Sequence, residues 1–369
     1  MRVPFSFLTD QFANAEPIFD RMREFLKRCD FTLGEDLAEF ENRYAKYTGA
    51  KHAIGVGSGT DALALSLRAA GVGPGDEVIS APNSFVATTG AIVQAGAKPI
   101  YVDVSENQTI DPSLIERAIT AKTKAILPVH WAGCPADMEQ ICRIADRHKM
   151  VIVEDACQAL GARIRGKHVG TFGMAGGFST HPIKPLHVWG DGGVIVTNSD
   201  KVAHDLRLIR NHGLEGRDVV TVWGVNSRFD NLHAIVGNVV FESLDATIDK
   251  RIALAQSYDK AFRMERFKRF VQLPPRSSQV KHVYHLYIMK VTRRDEVLEF
   301  LKGEGIEVKV HYPIPLHLQP AAAIWNLKRG MFPVTEAQSS DTITLPCHQF
   351  LNTEHIDYVV SKVAQFYGV

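Results

Sequence analysis

Lys184 stands between Pro182 and Pro185 in the stretch STHPIKPLHVWGDGG, residues 179–193. Prolines on both sides disfavour helix and restrict the backbone before each ring. A lysine placed there is either a solvated charge on a surface loop or an amine held rigidly for covalent chemistry. Ser179 comes before it, and a Gly-Asp-Gly-Gly run follows. Asp155 closes a second stretch, VIVED. A carboxylate at the carboxyl end of a strand lies where open α/β sheets bind ligands. There it either pairs with a cation or caps the next helix. Glu154 projects from the opposite face of that strand, which favours Asp155 as the functional carboxylate. The third stretch is GVGSGTDAL, residues 55–63. Glycines and small hydroxyls between a strand and a helix expose backbone N–H groups to an anion. The alternative is a tight turn with an N-cap. The run is neither the dinucleotide fingerprint nor a Walker A loop. An anion cradle, a strand-end carboxylate and a constrained lysine beside a hydroxyl are together what pyridoxal phosphate requires. Its phosphate suits a helix N-terminus, its ring nitrogen a carboxylate, and its aldehyde a lysine amine.

The elements that must position these groups alternate. Short apolar runs at 53–56, 77–80, 99–104, 125–129, 151–154, 177–179 and 194–197 predict strands. Helical patterns fall at 60–70, 86–94 and 137–148. Near-continuous apolar strands between helices predict an α/β fold, a largely parallel sheet covered on both faces. Beyond residue 245 the pattern changes. A long helix is expected at 246–262, strands at 285–291 and 308–311, and helices at 294–302 and 354–366. The expected division is a large domain over 1–245, with helices at 16–28 and 36–47, and a smaller α+β domain over 246–369.

Bulk composition narrows the function classes. Forty-two basic residues against 41 acidic leave a formal charge of +1, which predicts no bulk attraction to nucleic acid or anionic membrane. Five scattered cysteines form no CxxC metal pattern and suit a reducing cytoplasm. The cysteines read as structural, and no metal site is expected. No apolar run approaches the roughly 18–20 residues that cross a bilayer. No signal-peptide core, repeat or low-complexity tract stands out.

The chain resembles the DegT/DnrJ/StrS family of sugar aminotransferases, among the fold-type-I PLP enzymes. The likeness is carried by GEDLAEFENRYAKYTGAKHA (34–53), GSGTDALALSLRAAGVGPGDEVI (57–79), SFVATTGAIVQAGAKPIYVDV (84–104) and VEDACQALGA (153–162). It continues through FSTHPIKPLHVWGDGG (178–193), GVNSRFDNLHAIVG (224–237) and HYPIPLHLQP (311–320). The resemblance implies a mostly parallel seven-stranded sheet in a three-layer sandwich. It implies pyridoxal 5'-phosphate bound as a Schiff base on Lys184, with Asp155 on the ring nitrogen and Gln158 near the phenolic oxygen. Phe85 is implied to stack on the ring. Gly59, Thr60, Asp61 and Ser179 are implied to hold the phosphate. Asn226 is implied to reach the phosphate of a neighbouring subunit, hence a homodimer with shared active sites. His181, His187, Trp189, Tyr312 and His317 lie in the same motifs as candidate substrate contacts. Arg228 is a candidate for the donor carboxylate.

The activity implied is a ping-pong transamination from L-glutamate to a keto sugar. Lysine at position 184 disfavours the dehydratase relatives, which carry histidine there. The run VWGDGG (188–193) is closer to relatives that aminate C3 than to the TGEGG of C4-aminating ones. A nucleotide-linked 3-keto or 4-keto deoxysugar, a keto-inositol and a free keto sugar such as an oxidised octulosonate all remain open. Two rival classes stay in view. One is a PLP-binding regulatory or sensory protein without turnover. The other is a nicotinamide dehydrogenase, which would leave Lys184 unexplained.

Overall fold

The structure, a computed structural model, describes residues 1–369. Seven strands form its main sheet: β1 (His52–Val56), β2 (Glu77–Ser80), β3 (Lys98–Tyr101), β4 (Thr123–Ile126), β5 (Val151–Asp155), β6 (Ala175–Ser179) and β7 (Gly193–Thr197). Their order across the sheet is β1-β7-β6-β5-β4-β2-β3. Pairings from β3 through to β6 are parallel. Strand β7 runs antiparallel to both β6 and β1. Strands β1, β2, β5 and β6 therefore point the same way, and their carboxyl ends share one edge.

Alternation along the strands builds the layers. Val78, Ala125, Leu127 and Val153 pack with Leu63 and Leu67 of α3 (Gly59–Ala69) and with Ala91 and Ile92 of α4 (Val86–Gln94). Their neighbours Ile79, Ile126 and Ile152 face the other way, onto Met138 and Ile141 of α5 (Met138–His148). A period of two sends adjacent residues to opposite faces, so both faces are apolar and both are covered. Two earlier helices, α1 (Glu16–Phe25) and α2 (Glu35–Thr48), add to this body; Phe40 and Tyr44 of α2 are fully buried.

Helix α6 (Leu244–Phe262) joins two cores. Its Leu244 and Ile248 pack with Tyr44 and Val188. Its Leu254, Tyr258 and Phe262 enter a C-terminal cluster. That cluster lies against an antiparallel sheet of β8 (Val271–Gln272), β9 (Tyr287–Val291) and β10 (Thr342–Leu345), covered by α7 (Arg294–Gly303) and α8 (Thr353–Tyr367). Val3 also joins the cluster, bridged to Ile306. The strand expected at 308–311 is absent. Lys309 makes one isolated bridge to Thr344, because β10 occupies the place beside β9. No helix is long and apolar enough to cross a membrane.

Candidate active site

The chain leaves β6 at Ser179 and returns as β7 at Gly193, and Lys184 sits on the excursion between them. Thr180 N–H donates to the Gly192 carbonyl at 2.9 Å and Val188 N–H to the Thr180 carbonyl at 2.9 Å, which close its base. Lys184 N–H donates to the His181 carbonyl at 2.8 Å, a tight turn spanning Pro182. A thread of hydrogen bonds braces this turn from outside. Arg251 Nε donates to Gln349 Oε1 at 3.0 Å, Gln349 Nε2 to Gln11 Oε1 at 3.3 Å, and Gln11 Nε2 to the Pro182 carbonyl at 2.6 Å.

The Lys184 amine forms no ion pair. Its single hydrogen-bond contact is His285 Nε2 at 3.5 Å. Burial lowers its pKa below that of an ordinary lysine; Cys157 and Asp155 oppose this, and Arg251 adds to it. Asp155 is buried on the same edge. Its Oδ2 accepts from Thr88 Oγ1 at 2.7 Å and its Oδ1 from Cys157 N–H at 3.2 Å. Thr88 in turn meets Ser84 at 2.6 Å. A strand terminus and the first turn of α4 thus aim one carboxylate.

Opposite these groups is the start of α3. Ser58 caps it, its Oγ accepting from Asp61 N–H at 3.0 Å. Asp61 Oδ2 accepts from Ser227 Oγ at 2.9 Å. Both polar ends of Asp61 are therefore engaged, and the backbone N–H groups left for an anion are those of Gly59 and Thr60. This corrects the expectation that Asp61 offers its N–H. Glycines let the pieces close up. A Cβ on Gly59 would stand 2.8 Å from Ser179 Cβ, and one on Gly193 would collide with the Ser58 carbonyl.

Aromatic rings border the same edge. Phe85, at the N-cap of α4, is 50% exposed, unusual for a phenylalanine with buried neighbours on its N-terminal side. Its ring lies 5.7 Å from Tyr312, and Trp131 lies 5.5 Å from Tyr312 on another side. Gln158 contacts the Tyr312 hydroxyl, and its Oε1 accepts from Ala132 N–H at 2.8 Å.

The remaining candidates separate. His181 is exposed on the lysine turn. His187 is buried with its ring against Phe12, and burial lowers its pKa to about 4. Trp189 packs edge-on with Phe12 and Phe19 beside α1, so it serves packing rather than a pocket wall. His317 is also drawn elsewhere, its Nε2 3.0 Å from Glu336 and its ring on Phe332. Arg228 donates to Asn211 Oδ1 at 3.0 Å. Asn226 is exposed, bridged to Asn211, on the segment that follows the hairpin of Leu214–Glu215 and Val219–Val220. Sequence reasoning did not find Thr88, Arg251 or His285. Thr88 lies one turn along α4 from Phe85 and was within reach of that motif; the other two approach only through long-range packing.

A half-buried lysine amine, a strand-end carboxylate and a helix N-terminus on one edge of a seven-stranded α/β sheet define an aminotransferase-like class of protein. Solved structures share the whole architecture. DesV of S. venezuelae, in complex with a ketimine intermediate, superposes with a TM-score of 0.96 at 37% identity, covering 100% of this chain and 99% of that one. NtdA of Bacillus subtilis, with bound cofactor PMP, gives 0.92 at 33% identity, covering 100% and 86%. Residues 13–364 match the DegT/DnrJ/EryC1/StrS aminotransferase family, and the chain belongs to it. Among curated relatives, a pleiotropic regulatory protein of Geobacillus stearothermophilus is 42% identical over 369 residues, 100% of this chain and 99% of its own. The dTDP-3-amino-3,4,6-trideoxy-alpha-D-glucose transaminase of Streptomyces venezuelae is 39% identical, covering 91% and 88%. The 3-oxo-glucose-6-phosphate:glutamate aminotransferase of Bacillus subtilis is 35% identical, covering 94% and 79%.

Proposed function

We propose that the protein is a pyridoxal-phosphate-dependent aminotransferase that moves an amino group from L-glutamate to a 3-keto sugar carried on a nucleotide. The observation that carries this reading is the Lys184 amine, depressed by burial and free of any ion pair, on the sheet edge that also bears Asp155. The start of α3 fits the cofactor's phosphate, since its Gly59 and Thr60 N–H groups are uncommitted and glycine at 59 lets Ser179 approach them.

Lys184 would hold the cofactor covalently and Asp155 would pair with its ring nitrogen. Phe85 would cover the ring face, and Gln158 would lie toward the phenolic oxygen. The Gly59 and Thr60 N–H groups, with the Thr60 and Ser179 hydroxyls, would hold the phosphate, joined by Asn226 of a second copy. When bound, the cofactor supplies an aldehyde that takes up amines and a cationic ring that accepts the electron pair of a developing carbanion. The residues do the rest. Lys184 Nζ, when not holding the cofactor, would accept the proton from the donor's α-carbon, and in the second half-reaction would deliver a proton to the sugar carbon that gains the amino group. A neutral amine is required for the first step, and burial favours it. Asp155, aimed by Thr88 and the Cys157 N–H, would face the ring nitrogen.

The 3-keto assignment rests on the GDGG run and on relatives whose names specify 3-amino or 3-oxo sugars. The glutamate assignment rests on the Bacillus subtilis relative. We also read a large domain in 1–245 and a small one in 246–369, supported by the two cores that meet along α6.

Borohydride reduction of protein loaded with pyridoxal phosphate, followed by peptide mass mapping, tests the central assignment. Lys184 should carry the cofactor, and L-glutamate should bleach the absorbance band before reduction. An unmodified Lys184 would sink it. Keto sugars with and without a nucleotide, offered to the aminated form, then test the acceptor. One specific observation supports a second reading: a relative matched over the full chain is named a regulatory protein. A regulator would load Lys184 in the same way yet release no 2-oxoglutarate.

A further inference from the structure

His285 lies just before β9 and is buried, at 9% exposure. Its ring has one polar contact, Lys184 Nζ, 3.5 Å from Nε2, and its Nδ1 has none. Lys184 Nζ likewise has no other. A buried imidazole with an unpartnered nitrogen is destabilising, so packing alone does not explain this residue. The backbone that carries it is laced in place. Arg251 Nη1 donates to the His285 carbonyl at 3.4 Å. Val283 N–H donates to the Gly133 carbonyl at 3.1 Å and Leu286 N–H to the Ala132 carbonyl at 3.3 Å. Ala132 is itself held by Gln158, on the turn that follows Asp155. One hydrogen-bonded path thus joins the carboxylate's turn to the imidazole.

We propose that His285 is the positioning residue for Lys184: its Nε2 anchors the amine while it is free of the cofactor and so aims it at the reacting carbons. The inference rests on the reading of Lys184 given above. The charged and titratable groups around the pair come from every side. Asp155 and Cys157 lie at the end of β5, Arg251 on α6, His311 before β10 and His181 on the lysine turn. Burial first, then Lys184, Arg251, His311 and His181, hold the His285 imidazole neutral. A neutral imidazole with its Nε2 unprotonated accepts from Lys184 once that amine is charged, so the contact is made as the neutral amine takes up a proton.

The test is labelling of cofactor-free protein. Reductive methylation across a pH series, read by peptide mass mapping, gives the pH at which Lys184 becomes reactive. His285→Phe removes the acceptor while filling the space. The midpoint should fall by about one pH unit, the size expected for a hydrogen bond to a charged group. His285→Gln, which keeps an acceptor, should restore most of the shift. With cofactor loaded, His285→Phe should lower kcat by about tenfold or more with KM little changed. A midpoint that stays or rises in His285→Phe, or an equal fall in His285→Gln, overturns the proposal. His285→Met carries the same expectation and decides the matter if the phenylalanine variant does not fold. Because labelling needs no cofactor, its outcome is independent of the borohydride result that tests the role of Lys184 itself.

Discussion

Glu154 and Asp155 are neighbours on β5 and are held by opposite sides of the sheet. Glu154 faces inward with no exposure. Its Oε1 accepts from Phe172 N–H and Gly173 N–H, both at 2.7 Å, and its Oε2 from Gly170 N–H at 2.6 Å and His130 Nε2 at 3.0 Å. It pins the turn that leads into β6. Asp155 is held by a hydroxyl and one N–H on the ligand edge. Glu154→Gln should therefore destabilise the fold by about 3 kcal/mol, as buried charge-assisted bonds are lost. Asp155→Asn should leave stability within about 1 kcal/mol yet weaken cofactor binding and stop turnover. Denaturant unfolding and cofactor absorbance separate the two.

Lys184 trades stability for function. Its folded pKa is depressed, so the unfolded chain binds the extra proton more readily. The cost is full below the folded pKa and fades as pH climbs toward the ordinary lysine value. Lys184→Met should abolish transamination and raise stability at neutral pH by about 0.5–2 kcal/mol, with the gain shrinking in alkali. Thermal unfolding at two pH values checks it.

His168 should help set the acid limit, together with the similarly depressed His187, His311 and His348. Its Nδ1 donates to the Val169 carbonyl at 2.5 Å and its Nε2 accepts from Gly161 N–H at 2.8 Å, which together require the neutral ring. Burial lowers its pKa to about 4. The unfolded chain binds a proton that the folded one refuses between about 6.5 and 4, so stability falls as pH drops through that window. The loss approaches about 3 kcal/mol. His168→Gln should remove its share and make this part of the pH–stability curve shallower, measured by urea unfolding.

Trp223 is 84% exposed, beside the exposed Val219, Val220 and Val222. An exposed apolar patch of this kind, on and just after the second strand of the hairpin, marks a contact surface. If Asn226 reaches a second copy as proposed, this surface lies at that contact. Trp223→Glu should shift the protein toward monomer in sedimentation and weaken phosphate-end cofactor binding. A dimer that persists with unchanged cofactor affinity rules the hairpin out.

The groups that do local work were legible in sequence. Asp155 follows from the period-two strand that ends on it, and Lys184 from the prolines around it. Strand direction was less so: β7 reads like its neighbours but runs antiparallel, because direction depends on connection length rather than composition. Trp189 looked like a pocket wall from its motif, yet Phe12 and Phe19, far earlier in the chain, claim its ring. His285 carries no local signal at all. Its meaning comes from an amine 101 residues away.

The thread through Arg251, Gln349, Gln11 and Pro182 has a practical reach. It draws segments from near both termini onto the backbone beside the reactive amine. Loosening either Gln11 or Gln349 would therefore slacken the lysine turn without touching any residue on it.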